Sequence, residues 1–140
     1  MPSNPVRGST GSPRTNINPF ALSLSKGEVY RSDTVRYCTF CDIVARREPA
    51  EILYEDDEVM VFRNRLRWVP VMLLAAPKAH KTQAELWRDM GRVGEIAVRM
   101  GEEHCPRGFR LLSNFGPEAM QSQEHAHVHI LGGTFLGEYA

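Results

Sequence analysis

The chain has 140 residues, enough for one domain around a single core and too few for two. Lysine plus arginine balance aspartate plus glutamate at 17 each, which excludes a global field that would draw the protein to a nucleic acid polymer or an anionic membrane. Any phosphate it binds must therefore be held by local contacts, and no apolar run approaches the about 20 residues of a membrane span.

From Met1 to about Tyr37 the sequence is rich in Ser, Pro, Gly, Asn and Arg and shows no sustained apolar period. The composition predicts a disordered N-terminal arm over residues 1–37, with the folded domain occupying 38–140. Its one apolar stretch, "FALSL", is shorter than the about 7–15 residues of a signal-peptide core. Three cysteines, Cys38, Cys41 and Cys105, are an odd number for a disulfide framework and point to thiols or metal ligation in a reducing compartment. The expected location is cytoplasmic.

"CTFCDIVARRE" opens the domain and sets Phe40, Ile43, Val44 and Arg47 at helical spacing, with Thr39 placed to cap a short helix. "EILY", the acidic turn "EDDE" and "VMVF" predict a hairpin, and "VPVMLLAA" a further strand ending at Pro77. Between about Thr82 and His104, Leu86, Met90, Val93, Ala97 and Met100 recur at steps of four and three, the stripe of one long amphipathic helix. Gly91, Gly94 and Gly101 weaken that helix, so its apolar face must pack closely on something. "FRLLSNF" and "EHAHVHIL" supply two more strands. The order predicts an α+β fold, a five-stranded antiparallel sheet with one long and one short helix on one face.

In "EHAHVHILGG" histidine takes every second position three times. On a strand His125, His127 and His129 share one face, while Ala126, Val128 and Ile130 turn to the core. Neighbouring histidines would be about 6.6 Å apart along the backbone and the outer pair about 13 Å apart, so two can share an ion and three cannot. Cys38-x-x-Cys41 has the spacing of half a tetrahedral zinc site, a spacing that redox pairs share.

"HAHVHILGG" resembles the signature of the histidine triad superfamily, and its Gly132-Gly133 pair resembles the Hint branch. "CTFCDIVARREPA", "ILYEDDEVMVF", "LLAAPKAH" and "SNFGPEAMQSQEHAHVHILGG" follow in the order of that family from Cys38 onward. The resemblance implies cleavage at the α-phosphate of a purine nucleoside monophosphate conjugate, phosphoramidates being the type substrate, with His127 attacking phosphorus to form a nucleotidyl-histidine. Neutral imidazole suits that attack near pH 7. By the same resemblance His129 lies beside the phosphate, Ser122 hydrogen-bonds the phosphate or leaving group, and Asn114 contacts the phosphate.

For the nucleotide, the resemblance implies an apolar pocket from Phe40, Ile43 and Phe62, with Gln121 on the phosphate loop and Asn64 where relatives place a ribose-binding carboxylate. Met120 stands where many relatives have glycine and would be strained if the position needs a positive φ. The implied zinc site joins Cys38 and Cys41 to His80 and His125, leaving His127 and His129 to the phosphate. A homodimer with a ten-stranded sheet is the implied assembly. Two alternatives remain: hydrolysis or phosphorolysis of dinucleoside polyphosphates, which the glycine pair disfavours, and a nucleotide-binding regulatory module with little turnover.

Overall fold

The computed structural model describes residues 37–138. The proposed disordered arm lies outside them except for Tyr37. Five strands run in chain order as β1 (Ile52–Glu55), β2 (Val59–Arg63), β3 (Val71–Pro77), β4 (Phe109–Leu112) and β5 (Val128–Gly132). They form one antiparallel sheet in the spatial order β1-β2-β3-β5-β4. The helices are α1 (Thr39–Val44), α2 (Gln83–Arg88) and α3 (Gly91–His104). None is long and apolar enough to cross a membrane.

The β1–β2 hairpin closes where Asp56 Oδ1 accepts from the amides of Glu58 (2.7 Å) and Val59 (2.8 Å), the local bond that makes aspartate a turn residue. Arg92 of α3 pairs with the same carboxylate and tethers the hairpin to the helix layer.

Along β2, β3 and residues 126–130 side chains sort by the period of two. Val59, Val61, Leu73, Ala75, Ala126, Val128 and Ile130 face α2 and α3 and make the larger core with Leu86, Val93, Ile96, Ala97 and Met100. The opposite set, Met60, Phe62, Leu74 and Ala76, packs on Phe40 and Ile43 of α1. So α1 does not share a face with the other helices, contrary to the single-face expectation. The apolar stripe predicted for the long helix is core.

The predicted single helix from Thr82 to His104 is two. Thr82 caps α2 through a capping box with Glu85, and the chain leaves the helix at Asp89 (φ −148°). It re-enters through Gly91, whose φ of +52° suits a residue without Cβ. The stripe keeps its phase across this break, which is why sequence periodicity alone could not detect it. The short helix begins one residue away from expectation: its N-cap is Cys38, whose Sγ accepts from the Cys41 amide at 3.3 Å, not Thr39.

Three glycines mark close approaches. A Cβ on Gly101 would meet the Phe109 ring at 2.4 Å, so α3 lies against β4 with no room for a methyl group. At the end of β5 a Cβ on Gly132 would meet Cys105 Sγ at 2.5 Å, and one on Gly133, at φ +86°, would meet Pro70 at 2.9 Å. Overpacking typically costs about 1–3 kcal/mol. Gly101→Ala is therefore expected to lower stability by about that amount despite alanine's better helix propensity; an unchanged denaturant midpoint would show that the Phe109 ring moves aside freely.

Candidate functional site

β5 is shorter than the sequence suggested: only His129 lies on the strand, while His125, at a bend, and His127 precede it. The side-chain alternation survives nevertheless. His125 (1% exposed) and His127 (4% exposed) turn to the face that carries α1, and Ala126 between them enters the larger core.

Each ring has its own partner. His125 Nε2 donates to the Pro77 carbonyl at 2.7 Å, which leaves its Nδ1 lone pair 3.5 Å from the Sγ atoms of both Cys38 and Cys41. His80 Nδ1 lies 3.4 Å from Cys41 Sγ. One ligand atom from each of these four residues falls within 4.8 Å of the others. A tetrahedral zinc with bonds of about 2.3 Å to sulfur and about 2.0 Å to nitrogen has S···N edges of about 3.5 Å, so donor set and spacing both fit a closed structural zinc site. The carbonyl behind His125 is the outer support such ligands commonly have. Burial pushes the Cys38 thiol up to about 11, so without a cation it stays protonated at neutral pH.

His127 is held differently. Its Nδ1 lies 2.8 Å from the carbonyl of His125, and since a carbonyl only accepts, Nδ1 carries the proton and Nε2 keeps its lone pair. Nε2 has no hydrogen bond among the described residues. The ring is wedged between Phe40 (centroids 5.1 Å apart) and His129 (5.0 Å), both edge to face. Burial holds His127 below the ordinary histidine value, and burial, aided by the nearby His127, lowers His129 to about 4. Both rings are thus neutral at pH 7, and His127 presents an unprotonated nitrogen.

The other expected residues divide into two groups. Phe40, Ile43 and Phe62 come together as one apolar cluster, with the Phe40 and Phe62 rings 5.1 Å apart, directly behind the triad. Asn114, Ser122, Asn64 and Gln121 have no side-chain hydrogen bond to a triad ring among the described residues. Asn64 Oδ1 accepts from the Leu66 amide at 3.0 Å and closes a turn. Gln121 accepts from the Gly116 amide at 2.8 Å and donates to the Gln123 carbonyl at 3.0 Å, so its side chain shapes the loop before the triad. In that loop Met120 has φ +63°, the left-handed conformation on which strain at this position was conditional and one that costs a non-glycine residue about 1 kcal/mol or more.

Two residues near His127 escaped sequence reading. Gln83, 3% exposed, accepts from the His127 amide at 3.0 Å, and Ser113 donates to the His127 carbonyl at 2.6 Å. A faint signal existed for Gln83: it falls three residues before Leu86, in phase with the apolar stripe, where a polar residue is buried and needs partners.

The sequence pattern of the HIT domain matches residues 45–136. A "14 kDa zinc-binding protein" of Brassica juncea is 33% identical over 102 residues, covering 67% of this chain and 90% of its own length. The "Purine nucleoside phosphoramidase" of Escherichia coli K12 is 31% identical over 105 residues, covering 70% and 88%. Among solved structures a HIT family hydrolase from Clostridium thermocellum superposes with a TM-score of 0.68 at 30% identity, covering 76% of this chain and 98% of that one.

The lowered histidines carry a stability signature. A histidine whose folded pKa lies below its unfolded value of about 6.5 takes its proton only on unfolding in the interval between, so its stabilisation is complete above that interval and lost as pH falls through it. For His129 the interval runs from about 6.5 down to about 4. Stability is expected to fall as pH drops from about 6.5 to about 4.5, before ordinary carboxylates titrate, and to fall less in His129→Asn. Denaturation midpoints across that range check it; equal slopes in both proteins would contradict the assignment.

Proposed function

The chain belongs to the HIT family, and from that premise we propose that it is a nucleotidyl hydrolase acting on purine nucleoside monophosphates joined to an amine or another small leaving group. The observation that carries the reading is the bonding of His127: Nδ1–H donated to the His125 carbonyl, Nε2 unprotonated and unpartnered among the described residues. That is the state a nucleophile needs, reached by burial and one hydrogen bond and not by a general base.

In the proposed reaction Nε2 of His127 attacks the α-phosphorus. A P–N bond to the ring forms, the bond to the leaving nitrogen or oxygen breaks, and the leaving group takes up a proton. Water then attacks phosphorus, the ring is released, the water's surplus proton restores the balance, and a nucleoside monophosphate departs. Ser122, on the exposed loop before the triad, is the proposed hydrogen-bond partner of the leaving group or phosphate. His129 and Asn114 are assigned to the phosphate, which phosphoryl transfer requires to be oriented and neutralised. Phe40, Ile43 and Phe62 form the apolar wall for the nucleoside, with Gln121 setting the loop conformation.

Cys38, Cys41, His80 and His125 hold zinc in this reading, and the metal's contribution is to tie α1 to the histidine segment. The four donors fit it, and the similarity to the zinc-binding protein of Brassica juncea supports it. The proposed assembly is a cytoplasmic homodimer, supported by the position of β4 at an edge of the sheet, beside α3, and by exposed Val98 on that helix.

A second reading, a nucleotide-binding module with little turnover, draws on Asn64. Its side-chain oxygen already accepts from the Leu66 amide, which leaves one neutral acceptor site where a ribose-binding carboxylate would offer two charged oxygens.

Protein purified without a metal-affinity tag is expected to contain one zinc per chain, and chelation is expected to lower its melting temperature; absence of zinc, with Cys38 and Cys41 freely titratable, would refute the metal assignment. Wild type is expected to hydrolyse adenosine 5′-phosphoramidate and to yield an adenylylated His127 on rapid denaturation at alkaline pH, where the P–N bond survives. In His127→Gly the rate is expected to fall by a factor of about 10³ or more, as for loss of a covalent nucleophile. Tight binding of the nucleotide without cleavage by wild type would establish the module instead.

A further inference from the structure

Backbone pairing on both sides of β5 ends just before the triad's middle member. On one side the last partners are Ala75 and Val128, on the other Leu112 and His129. His127 therefore lies beyond the ladder, yet it is 4% exposed, so its amide and carbonyl still need partners.

Two side chains take over where the strands stop. From the first residue of α2, Gln83 Oε1 accepts the His127 amide at 3.0 Å, and its Nε2 donates to the Asn114 carbonyl at 3.3 Å. From the residue after β4, Ser113 Oγ donates to the His127 carbonyl at 2.6 Å. Both ends of the Gln83 amide are thus bonded inside the protein, and together they bridge the His127 and Asn114 segments.

We infer that Gln83 and Ser113 are positioning residues that clamp the main chain of His127 from two sides and so set the aim of its Nε2, an inference that rests on the reading of His127 as nucleophile. The His125 carbonyl orients the ring relative to its own segment; it does not stop that segment from shifting as a body. The clamp removes that freedom. In-line attack needs the reacting atoms in a near-attack geometry, and a displacement of about 1 Å costs about 10²-fold in rate. Neither residue belongs to the proposed apolar nucleoside wall, so the clamp acts on the chemical step and not on substrate affinity.

The test uses the full chain with adenosine 5′-phosphoramidate and compares Ser113→Thr, which keeps the hydroxyl, with Ser113→Val, which has the shape of that threonine without the hydroxyl. Gln83→Met provides the matching loss on the other side. Ser113→Val and Gln83→Met are expected to lower kcat by about 10- to 100-fold with KM within about twofold of wild type, and Ser113→Thr is expected to recover most of the loss. Unchanged kcat in Ser113→Val, a rise in KM alone, or an equal loss in the threonine variant would each overturn the inference.

Amide hydrogen exchange keeps the two claims apart, because it reads the clamp without any substrate. Gln83→Met is expected to speed exchange at the His127 amide and leave Ile130 in mid-strand unchanged. Should wild type prove inactive, the nucleophile reading fails and the aiming role with it, while faster exchange would still establish the clamp as structural. Unchanged exchange at His127 in a folded variant would remove the clamp itself. If Gln83→Met does not fold, the serine pair decides.

Discussion

The attachment of α1 to the sheet is the constraint on which the site depends. A helix of six residues has no stability of its own, since nucleation is costly and short helices are marginal in water. It buries only Phe40 and Ile43. What holds it in addition is the convergence of Cys38 and Cys41 with His80 and His125 from two other segments. Closing the metal cluster places Phe40 against the rings of both His125 and His127. The same contact makes the proposed nucleoside wall and the dry surroundings that keep His127 and His129 neutral at pH 7.

The triad then divides its labour according to which atom each histidine bonds. His125 points Nδ1 at the cysteines because its Nε2 is tied to Pro77, and its own carbonyl orients the next ring. His127 keeps Nε2 free for the same reason. His129, on the strand proper, has its basicity suppressed by burial and by its neighbour. Three chemically identical side chains thus reach three different bonding states, set by backbone carbonyls at His125 and His127 and by burial and a neighbouring ring at His129.

Much of this was visible in the linear sequence, and for physical reasons. Alternation of histidine with Ala126, Val128 and Ile130 is a two-residue period that only an extended chain sorts onto two faces. The four metal ligands were implied by family resemblance, and the distances bear the grouping out. The sequence raised strain at Met120 only on the condition that the position needs a positive φ, and the backbone there has φ +63°. What sequence reading missed depends on tertiary context. The break between α2 and α3 preserves the phase of the apolar stripe, so no periodicity reveals it. The side of the sheet that α1 occupies follows from tertiary contacts, Phe40 and Ile43 packing on Met60, Phe62, Leu74 and Ala76 and the cysteines meeting His80 and His125, which local pattern does not encode. Gln83 and Ser113 act on the backbone of a residue distant in sequence, and nothing in their own neighbourhoods announces that.

The Gly132-Gly133 pair, which served as a branch signature, has a different meaning in three dimensions. Neither residue touches a reacting group; one faces a cysteine sulfur and the other a proline ring at distances that leave no room for any side chain. In this chain the doublet is a clearance gauge between β5 and its neighbours: a side chain at either position would force Cys105, or Pro70 and Val71, to move.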